Sequence, residues 1–574
     1  MTSTKKIQIS INNKKLDCQE GETILEVAKR NKIEIPALCY HPDLDIKANC
    51  QLCLVEIDGW NGLHRACSTK VEQKMKITTK SPTINRTRKT NLELLFSQHC
   101  QKCQGCIWNF NCEILRLAKE YKAEINKFPE RKKPRPTYNF GSPLFFDGAQ
   151  CIDCQNCVDV CKKQGVGFLE IKGSGPNTKI VPSTKKDKDC IYCGQCIVHC
   201  PVGAFEAKEE SKDVEKAISD KNKIVVFQFA PSIRSSIGEC FNLPYGSVVT
   251  DKLTAGIKKL GADKVFDVSV GSDFTTIEEA KELIERLEEN KNLPMLTSCC
   301  PSWVKFVEFY YPEFIPYLTS VKSPQIILGG IIKTFWAKKE KIDPKKIVVV
   351  SVMPCVSKKY EIRRKEMQID GIRPVDFVLT TRELAFLFKK NGINLKTIKP
   401  ENPDSPLGTY SGAGVIYGAS GGVMESALRT AYEKITKKNL PKIEFKNVRG
   451  LKGTKKASIK IGEKTLKIGI INGIGNAKKV LEELKKDPQA YHYIEIMACF
   501  GGCIGGGGQP VPTSNEIRKK RAKTLYKIDD EKKLRLAHKN PVVKKIYEDF
   551  LTSKEKIHLL CHTKYSKKPK EVKF

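Results

Sequence analysis

No run of eighteen apolar residues occurs anywhere in the 574-residue chain. The first eighteen residues, MTSTKKIQISINNKKLDC, contain no apolar core of signal-peptide length. A membrane span needs about 20 predominantly apolar residues, and a secretory leader needs a shorter apolar run, so neither is expected. A Gly-x-Gly-x-x-Gly fingerprint is also missing, and any flavin or nicotinamide cofactor would have to come from a partner. Basic residues outnumber acidic ones by 100 to 65, a formal charge of +35. The lysine-rich tracts KKEKIDPKK, RKKRAK and KKLRLAHK are spread along the chain and are not interleaved with aromatic stacking residues. That pattern argues for a solvated basic surface rather than a nucleic-acid site. It also suits steering of an acidic partner.

Cysteine is what the chain has in excess. There are 24, most of them in Cys-x2-Cys clusters. The chain is expected in the cytoplasm, where thiols stay reduced and clustered cysteines read as metal ligands. Disulfide scaffolds are usually short secreted chains, and this one is long enough for several domains.

Organisation follows from pattern. KIQISI and KKLDC flank a turn at Asn12-Asn13, and ETILEVAKRNK spaces Ile24, Leu25, Val27 and Ala28 as a helix does. Residues 1–80 are therefore expected to form a ferredoxin-like domain, and 81–126 a helical module. Residues 127–148, rich in Pro and charge, read as a linker. Residues 149–210 hold an internal repeat, and 211–574 form the last domain. In that domain KIVVFQFA, KVFDVSV, LPMLTSCC, KKIVVVSVMPC, LKIGIING and YIEIMACF alternate with helical stretches. This alternation predicts an α/β domain of two lobes with largely parallel sheets, preceded by small α+β ferredoxin-like domains. Three of the expected strands run directly into cysteines. Open α/β sheets hold ligands beyond their carboxyl ends, so Cys300, Cys355 and Cys499 are expected to meet in one crevice.

The repeat is Cys151-x2-Cys154-x2-Cys157-x3-Cys161 followed by Cys190-x2-Cys193-x2-Cys196-x3-Cys200-Pro201. In this bacterial ferredoxin run the fourth cysteine of each copy serves the other cubane. One 4Fe–4S centre is thus expected on Cys151, Cys154, Cys157 and Cys200, and a second on Cys190, Cys193, Cys196 and Cys161. Zinc sites are the alternative, but zinc takes four ligands per ion and triplets with matching tails suit cubanes better. Cys39, Cys50, Cys53 and Cys67 depart from the plant-type spacing, and by spacing alone either a 2Fe–2S centre or a zinc ribbon is open. His99-x3-Cys103-x2-Cys106-x5-Cys112 competes with an all-cysteine set through Cys100.

Three further segments are Thr297-Ser298-Cys299-Cys300-Pro301-Ser302-Trp303, Met353-Pro354-Cys355-Val356-Ser357-Lys358-Lys359, and Met497-Ala498-Cys499-Phe500-Gly501-Gly502-Cys503 running on to Gly505–Gly508, Gln509 and Pro510. Together and in this order they resemble the signature motifs of FeFe-hydrogenases. PALCYHPDL…CQLCLVEIDG and the His-x3-Cys-x2-Cys-x5-Cys spacing are similar to modules that large members of the family share with respiratory complex I. The resemblance covers essentially the whole chain, the tail after about 520 contributing least. It implies reversible reduction of protons to hydrogen at an H-cluster, a 4Fe–4S cubane joined to a two-iron subsite with carbonyl, cyanide and azadithiolate. Cys300, Cys355, Cys499 and Cys503 would hold the cubane, with Cys503 bridging to the subsite. It implies one 2Fe–2S cluster and three accessory 4Fe–4S clusters, one of them on His99. It also implies that Pro231, Ser232, Ser323, Gln325, Met353, Pro354, Lys358 and Met497 line the pocket, Lys358 donating to a cyanide.

The same resemblance assigns a proton path through Cys299, Glu279, Thr319, Glu282 and Arg286. Cys299 is not needed as a cubane ligand, which leaves its thiol free for proton transfer. Glu279, Glu282 and Arg286 share one helix face by spacing; alone, Glu282–Arg286 reads as an exposed ion pair. The family has Ser where Thr319 stands, with Ser320 beside it. Ferredoxin or a similar carrier and dedicated H-cluster maturation proteins are the implied partners. A hydrogenase subunit of an NADH-linked or bifurcating complex is the alternative, and a hydrogen sensor or assembly factor the non-enzymatic one. Cys18, Cys240 and Cys561 match no motif and read as small apolar fillers.

Overall fold

The computed structural model describes residues 5–99, 103, 106–108, 112–131 and 135–572. At the N-terminus, strands Lys6–Ile11 and Lys14–Gln19 pair antiparallel around Asn12 and Asn13, whose φ angles of 50° and 64° are those of a type I′ hairpin turn. The helix Ile24–Arg30 starts at a capping box, Thr23 and Glu26 satisfying each other's backbone N–H groups. It buries Ile24, Leu25, Val27 and Ala28 against a five-stranded sheet, the four positions its spacing marked. The helices Pro82–Phe96 and Glu113–Glu120 follow. Buried Arg88 ties the first of them back to the N-terminal sheet by donating to the carbonyls of Leu52 and Leu54.

The stretch read as a linker carries two strands. Thr137–Phe140 pairs with Leu144–Asp147, which in turn pairs with Phe205–Ala207 at the end of the cysteine repeat. The repeat itself is built on the short helices Asn156–Lys163 and Gln195–Val198.

The last domain has two four-stranded sheets. In one, Lys264–Asp267, Ile224–Phe229, Ile347–Met353 and Phe377–Thr380 lie in that order, all parallel. In the other, Met295–Leu296, Tyr493–Met497 and Lys464–Asn472 are parallel, and Thr454–Ile461 closes the edge antiparallel. KVFDVSV, expected as one strand, is divided. Asp267 accepts from the N–H of Ser269 at 2.9 Å and caps the 22-residue helix Val268–Glu289, so the strand stops there. That helix packs closely on Pro324–Ile331, where a Cβ at Gly271 would sit 2.2 Å from the carbonyl oxygen of Pro324. LPMLTSCC contributes only a two-residue strand before its cysteines. None of the described helices is long and apolar enough to cross a membrane.

Candidate catalytic centre and iron–sulfur relay

The carboxyl ends of strands from both sheets deliver three of the four cysteines expected to hold the cubane, and Cys503 follows Cys499 in a 3₁₀ turn on the same loop. Ile347–Met353 leads to Cys355, Tyr493–Met497 to Cys499, and Met295–Leu296 to Cys299 and Cys300. Cys300 caps the helix Pro301–Tyr310. Side chains lock these loops together. Trp303 donates to the carbonyl of Thr297 at 2.9 Å, Ser302 bonds Ser357 at 2.8 Å, and Ser357 lies 2.9 Å from the sulfur of Cys355. Burial pushes the Cys300 thiol up to about 11, with Cys355 adding to the shift. Cys499 and Cys503 are raised in the same way, first by burial and then by the neighbouring thiols. Cys300, Cys499 and Cys503 are thus crowded, desolvated thiols raised above their ordinary value, and Cys355 is buried beside them. An iron cluster converts such groups, since coordination deprotonates a thiol outright.

Glycines let the loops that carry these cysteines pack backbone against backbone. Gly502 has φ of 90°, and a Cβ there would lie 2.7 Å from the amide nitrogen of Ser420; at Gly506 it would lie 2.2 Å from the carbonyl oxygen of Pro354. Ser232 Oγ and Gln325 Oε1 are buried without hydrogen-bond partners among the described residues, a state that a bound polar group relieves. Pro231 and Ser232 occupy a 3₁₀ turn after Ile224–Phe229, and Met353 and Met497 are buried at the strand ends.

Lys358 donates to the carbonyl of Cys299 at 3.0 Å and to Glu361 at 2.9 Å. Burial alone would depress its ammonium, but the Glu361 carboxylate holds it above the ordinary lysine value. Glu361 was not marked in the sequence. It also accepts from Ser323 at 2.9 Å and Gln325 at 2.6 Å, so one carboxylate orients three of the expected pocket residues. Gln509 plays a similar part, donating to the carbonyl of Cys503 and accepting from Ser236.

Glu279 is fully buried, and desolvation, reinforced by Glu282 and Glu495, pushes its carboxyl up to about 8. Burial also raises the Cys299 thiol, with Glu279 as the next contributor. Glu282 Oε2 accepts from Thr319 Oγ1 at 2.8 Å and from Ser320 Oγ at 3.0 Å, and Arg286 donates to Oε1. Arg286 also bonds the carbonyls of Tyr317 and Leu318. With side chains 12% and 13% exposed, Arg286 and Glu282 are a mostly buried pair, unlike the exposed pair expected of the helix alone. The loop 317–320 covers it.

The accessory cysteines gather as the crossed pattern requires. Cys151, Cys154, Cys157 and Cys200 line one cavity; Cys161, Cys190, Cys193 and Cys196 line another. Cys39 contacts Cys50, and Cys53 contacts Cys67. Cys50 also lies close enough to Cys154 to raise its thiol, and Cys193 feels Cys300 and Cys355. Cys499 Sγ is 3.9 Å from the carbonyl of Cys193. The sets therefore form a line from the N-terminal domain to the strand-end cysteines. His99 is buried, with Nδ1 2.8 Å from the carbonyl of Gln150, next to Cys151. Donation from Nδ1 leaves Nε2 as a bare nitrogen ligand, the usual arrangement of a metal-bound histidine. Cys103, Cys106 and Cys112 lie near one another; Cys100 lies outside the described residues. His41, Asp43 and His199 cluster between the first domain and the cysteine repeat, with Arg518 paired to both Asp43 oxygens at 2.8 and 2.9 Å. Cys18, Cys240 and Cys561 are buried among apolar side chains.

The C-terminal domain of the iron only hydrogenase large chain matches residues 223–507, and the iron hydrogenase small chain matches 515–568. A 2Fe-2S iron-sulfur cluster binding domain matches 4–82, the NADH-ubiquinone oxidoreductase-G iron-sulfur binding region 88–126, and a 4Fe-4S dicluster domain 150–216. The chain is 39% identical to the NADP-reducing hydrogenase subunit HndD of Solidesulfovibrio fructosivorans, over 98% of this chain and 99% of that one. It is 39% identical to iron hydrogenase 1 of Clostridium pasteurianum over 97% and 100%. A solved structure of the FeFe-hydrogenase HydA1 from Chlamydomonas reinhardtii covers 62% of this chain and 98% of its own, with 38% identity and a TM-score of 0.55. With its catalytic domain, its iron–sulfur modules and these relatives in agreement, the chain belongs to the FeFe-hydrogenase family and is an oxidoreductase of hydrogen.

Proposed function

We propose that the chain exchanges electrons with ferredoxin and passes them through its accessory clusters to an H-cluster held by Cys300, Cys355, Cys499 and Cys503. When bound, the H-cluster supplies the iron pair at which two protons and two electrons combine into hydrogen, or hydrogen is split. Cys39, Cys50, Cys53 and Cys67 hold the 2Fe–2S cluster. His99, Cys103, Cys106 and Cys112 hold one cubane, and the crossed sets of the repeat hold two more. The observation that carries this reading is the line of thiols ending at Cys499, 3.9 Å from the carbonyl of Cys193.

Protons move between Glu282, Thr319, Glu279 and Cys299, with Arg286 holding the Glu282 carboxylate in place by donating to it. The high pKa of Glu279 supports this assignment, because a carboxyl that titrates near neutral pH can hold and release a proton under working conditions. Lys358, oriented by Glu361, keeps a positive charge at the pocket wall. Dedicated maturation proteins supply the two-iron subsite.

The basic surface supports an acidic carrier. Hydrogen evolution from reduced ferredoxin should slow steeply as salt rises, while evolution from a small uncharged donor should not. A flat response to salt would reject ferredoxin steering. The similarity to HndD, named as a subunit of an NADP-reducing hydrogenase, favours a second reading in which partner proteins supply electrons from a nicotinamide. Co-purification with a flavin-bearing partner would favour that reading.

A further inference from the structure

Among the described residues, Glu282 meets Arg286 on its own helix and Ser320 on the facing loop, and the Ser320 side leads to an imidazole able to give up a proton. On one side stands Arg286, whose guanidinium stays protonated at any working pH. On the other stands Ser320, whose hydroxyl is 3.0 Å from Glu282 Oε2 and 2.8 Å from Nδ1 of His562. His562 Nε2 lies 3.3 Å from Glu278 Oε2. We propose that His562 is a proton relay residue of this hydrogenase, exchanging protons between solvent and Glu282 through Ser320.

The fold fixes this contact from both strands of a short bridge. His562 pairs antiparallel with Val321, the Thr563 N–H donates to the Ser320 carbonyl at 2.8 Å, and the Lys322 N–H donates to the Cys561 carbonyl at 2.7 Å. A segment about 240 residues further along the chain is thereby stapled beside the loop that holds Thr319. Glu278 is buried and receives Tyr547 and Lys281 as well, so it stays an acceptor for Nε2–H. The other titratable neighbours are Glu282 on the same long helix, Lys322 on the facing loop, and His558, Cys561 and Lys564 on its own segment. His558 stacks on His562 with ring centroids 5.7 Å apart. The imidazole side chain is 16% exposed, which gives it contact with water.

The step balances. In the imidazolium, Nδ1–H donates to Ser320 Oγ while the Ser320 proton points to Glu282 Oε2. Shifting each proton by one bond leaves a neutral imidazole with Nε2–H on Glu278, an unchanged serine, and Glu282 as the carboxylic acid. Solvent returns one proton to the ring. Hydrogen oxidation runs the same transfers backwards. Histidine suits the task because its two ring nitrogens can each hold or release a proton, and here they face Ser320 and Glu278.

The proposal rests on Glu282 carrying protons to the site, and the experiment separates the two. His562→Gln keeps amide groups for Ser320 and Glu278 but does not titrate; His562→Ala opens space for added imidazole. Both are compared with Glu282→Gln in matured enzyme whose carbonyl and cyanide bands match the wild type. His562→Gln is expected to evolve hydrogen roughly tenfold more slowly, with a flattened pH profile and a larger solvent isotope effect. Imidazole should restore His562→Ala and leave the wild type unchanged. Infrared difference spectra should show the Glu282 carboxylic-acid band exchanging with deuterium more slowly in His562→Gln. Wild-type rate, pH profile and exchange in His562→Gln, with Glu282→Gln inactive, would overturn the branch and leave the inner path standing. Normal turnover in Glu282→Gln would overturn both.

Discussion

The ammonium of Lys358 and the carboxylate of Glu361 form a buried ion pair at 2.9 Å, and the same carboxylate oxygen accepts from Ser323 and Gln325. A single negative charge thus positions the residues around the cofactor pocket and sustains the positive charge beside Cys299. Removing that charge leaves a buried cation without its partner, a loss of about 3–5 kcal/mol when a buried pair is broken on one side. Glu361→Gln is therefore expected to keep its cubane but retain the two-iron subsite poorly. Iron content near wild type with weakened carbonyl and cyanide bands is the expected result; full bands and full activity would show that the pair is dispensable.

Cys299 lies beside the cubane set without being needed by it. Cys299→Ala should hold as much iron as the wild type, while hydrogen evolution falls by about 10² to 10⁴ if its thiol is the last proton donor. Turnover within a fewfold of normal would remove Cys299 from the path.

The crossed ligation proposed for the repeat makes a selective prediction. Cys161 lines the cavity of Cys190, Cys193 and Cys196, although it is close in sequence to Cys157. Cys161→Ser should therefore alter the cubane nearest the catalytic centre and leave the other unchanged. Paramagnetic resonance of the reduced protein distinguishes the two; a change confined to the Cys151 set would contradict the crossing.

Glu279 carries a pH signature. Its carboxyl titrates near pH 8 when folded and near 4.5 when exposed. Between these values the folded chain binds a proton that the unfolded chain has released, so the residue costs stability increasingly as pH rises through this window. Glu279→Gln has no such titration. The melting temperature of the variant relative to wild type should rise between about pH 5 and pH 8, and an unchanged difference would place the Glu279 pKa near its ordinary value.

The cysteine sets and the strand-end crevice were legible in the sequence because ligand spacing is local and parallel strands read as β-branched runs. Asn12-Asn13 announced its hairpin for the same reason. KVFDVSV misled because apolar periodicity continues past Asp267, and only the cap turns the chain into a helix there. Glu361 looked like an ordinary charge in KKYEIRR; nothing local says that Ser323 and Gln325 reach it. His562 was invisible in the same way. Its partner Ser320 is 242 residues away, in a region whose tail carries the weakest motifs, and only the fold joins them.

The most direct test is spectroscopic. The chain is produced with the H-cluster maturation proteins, and its infrared spectrum is recorded together with hydrogen evolution. Carbonyl and cyanide stretching bands accompanied by hydrogen production are expected, with both lost when Cys503 is replaced by Ala. A fully matured sample showing only ferredoxin-type clusters, no diatomic bands and no hydrogen made or consumed would contradict the convergence of Cys300, Cys355, Cys499 and Cys503 on one catalytic centre.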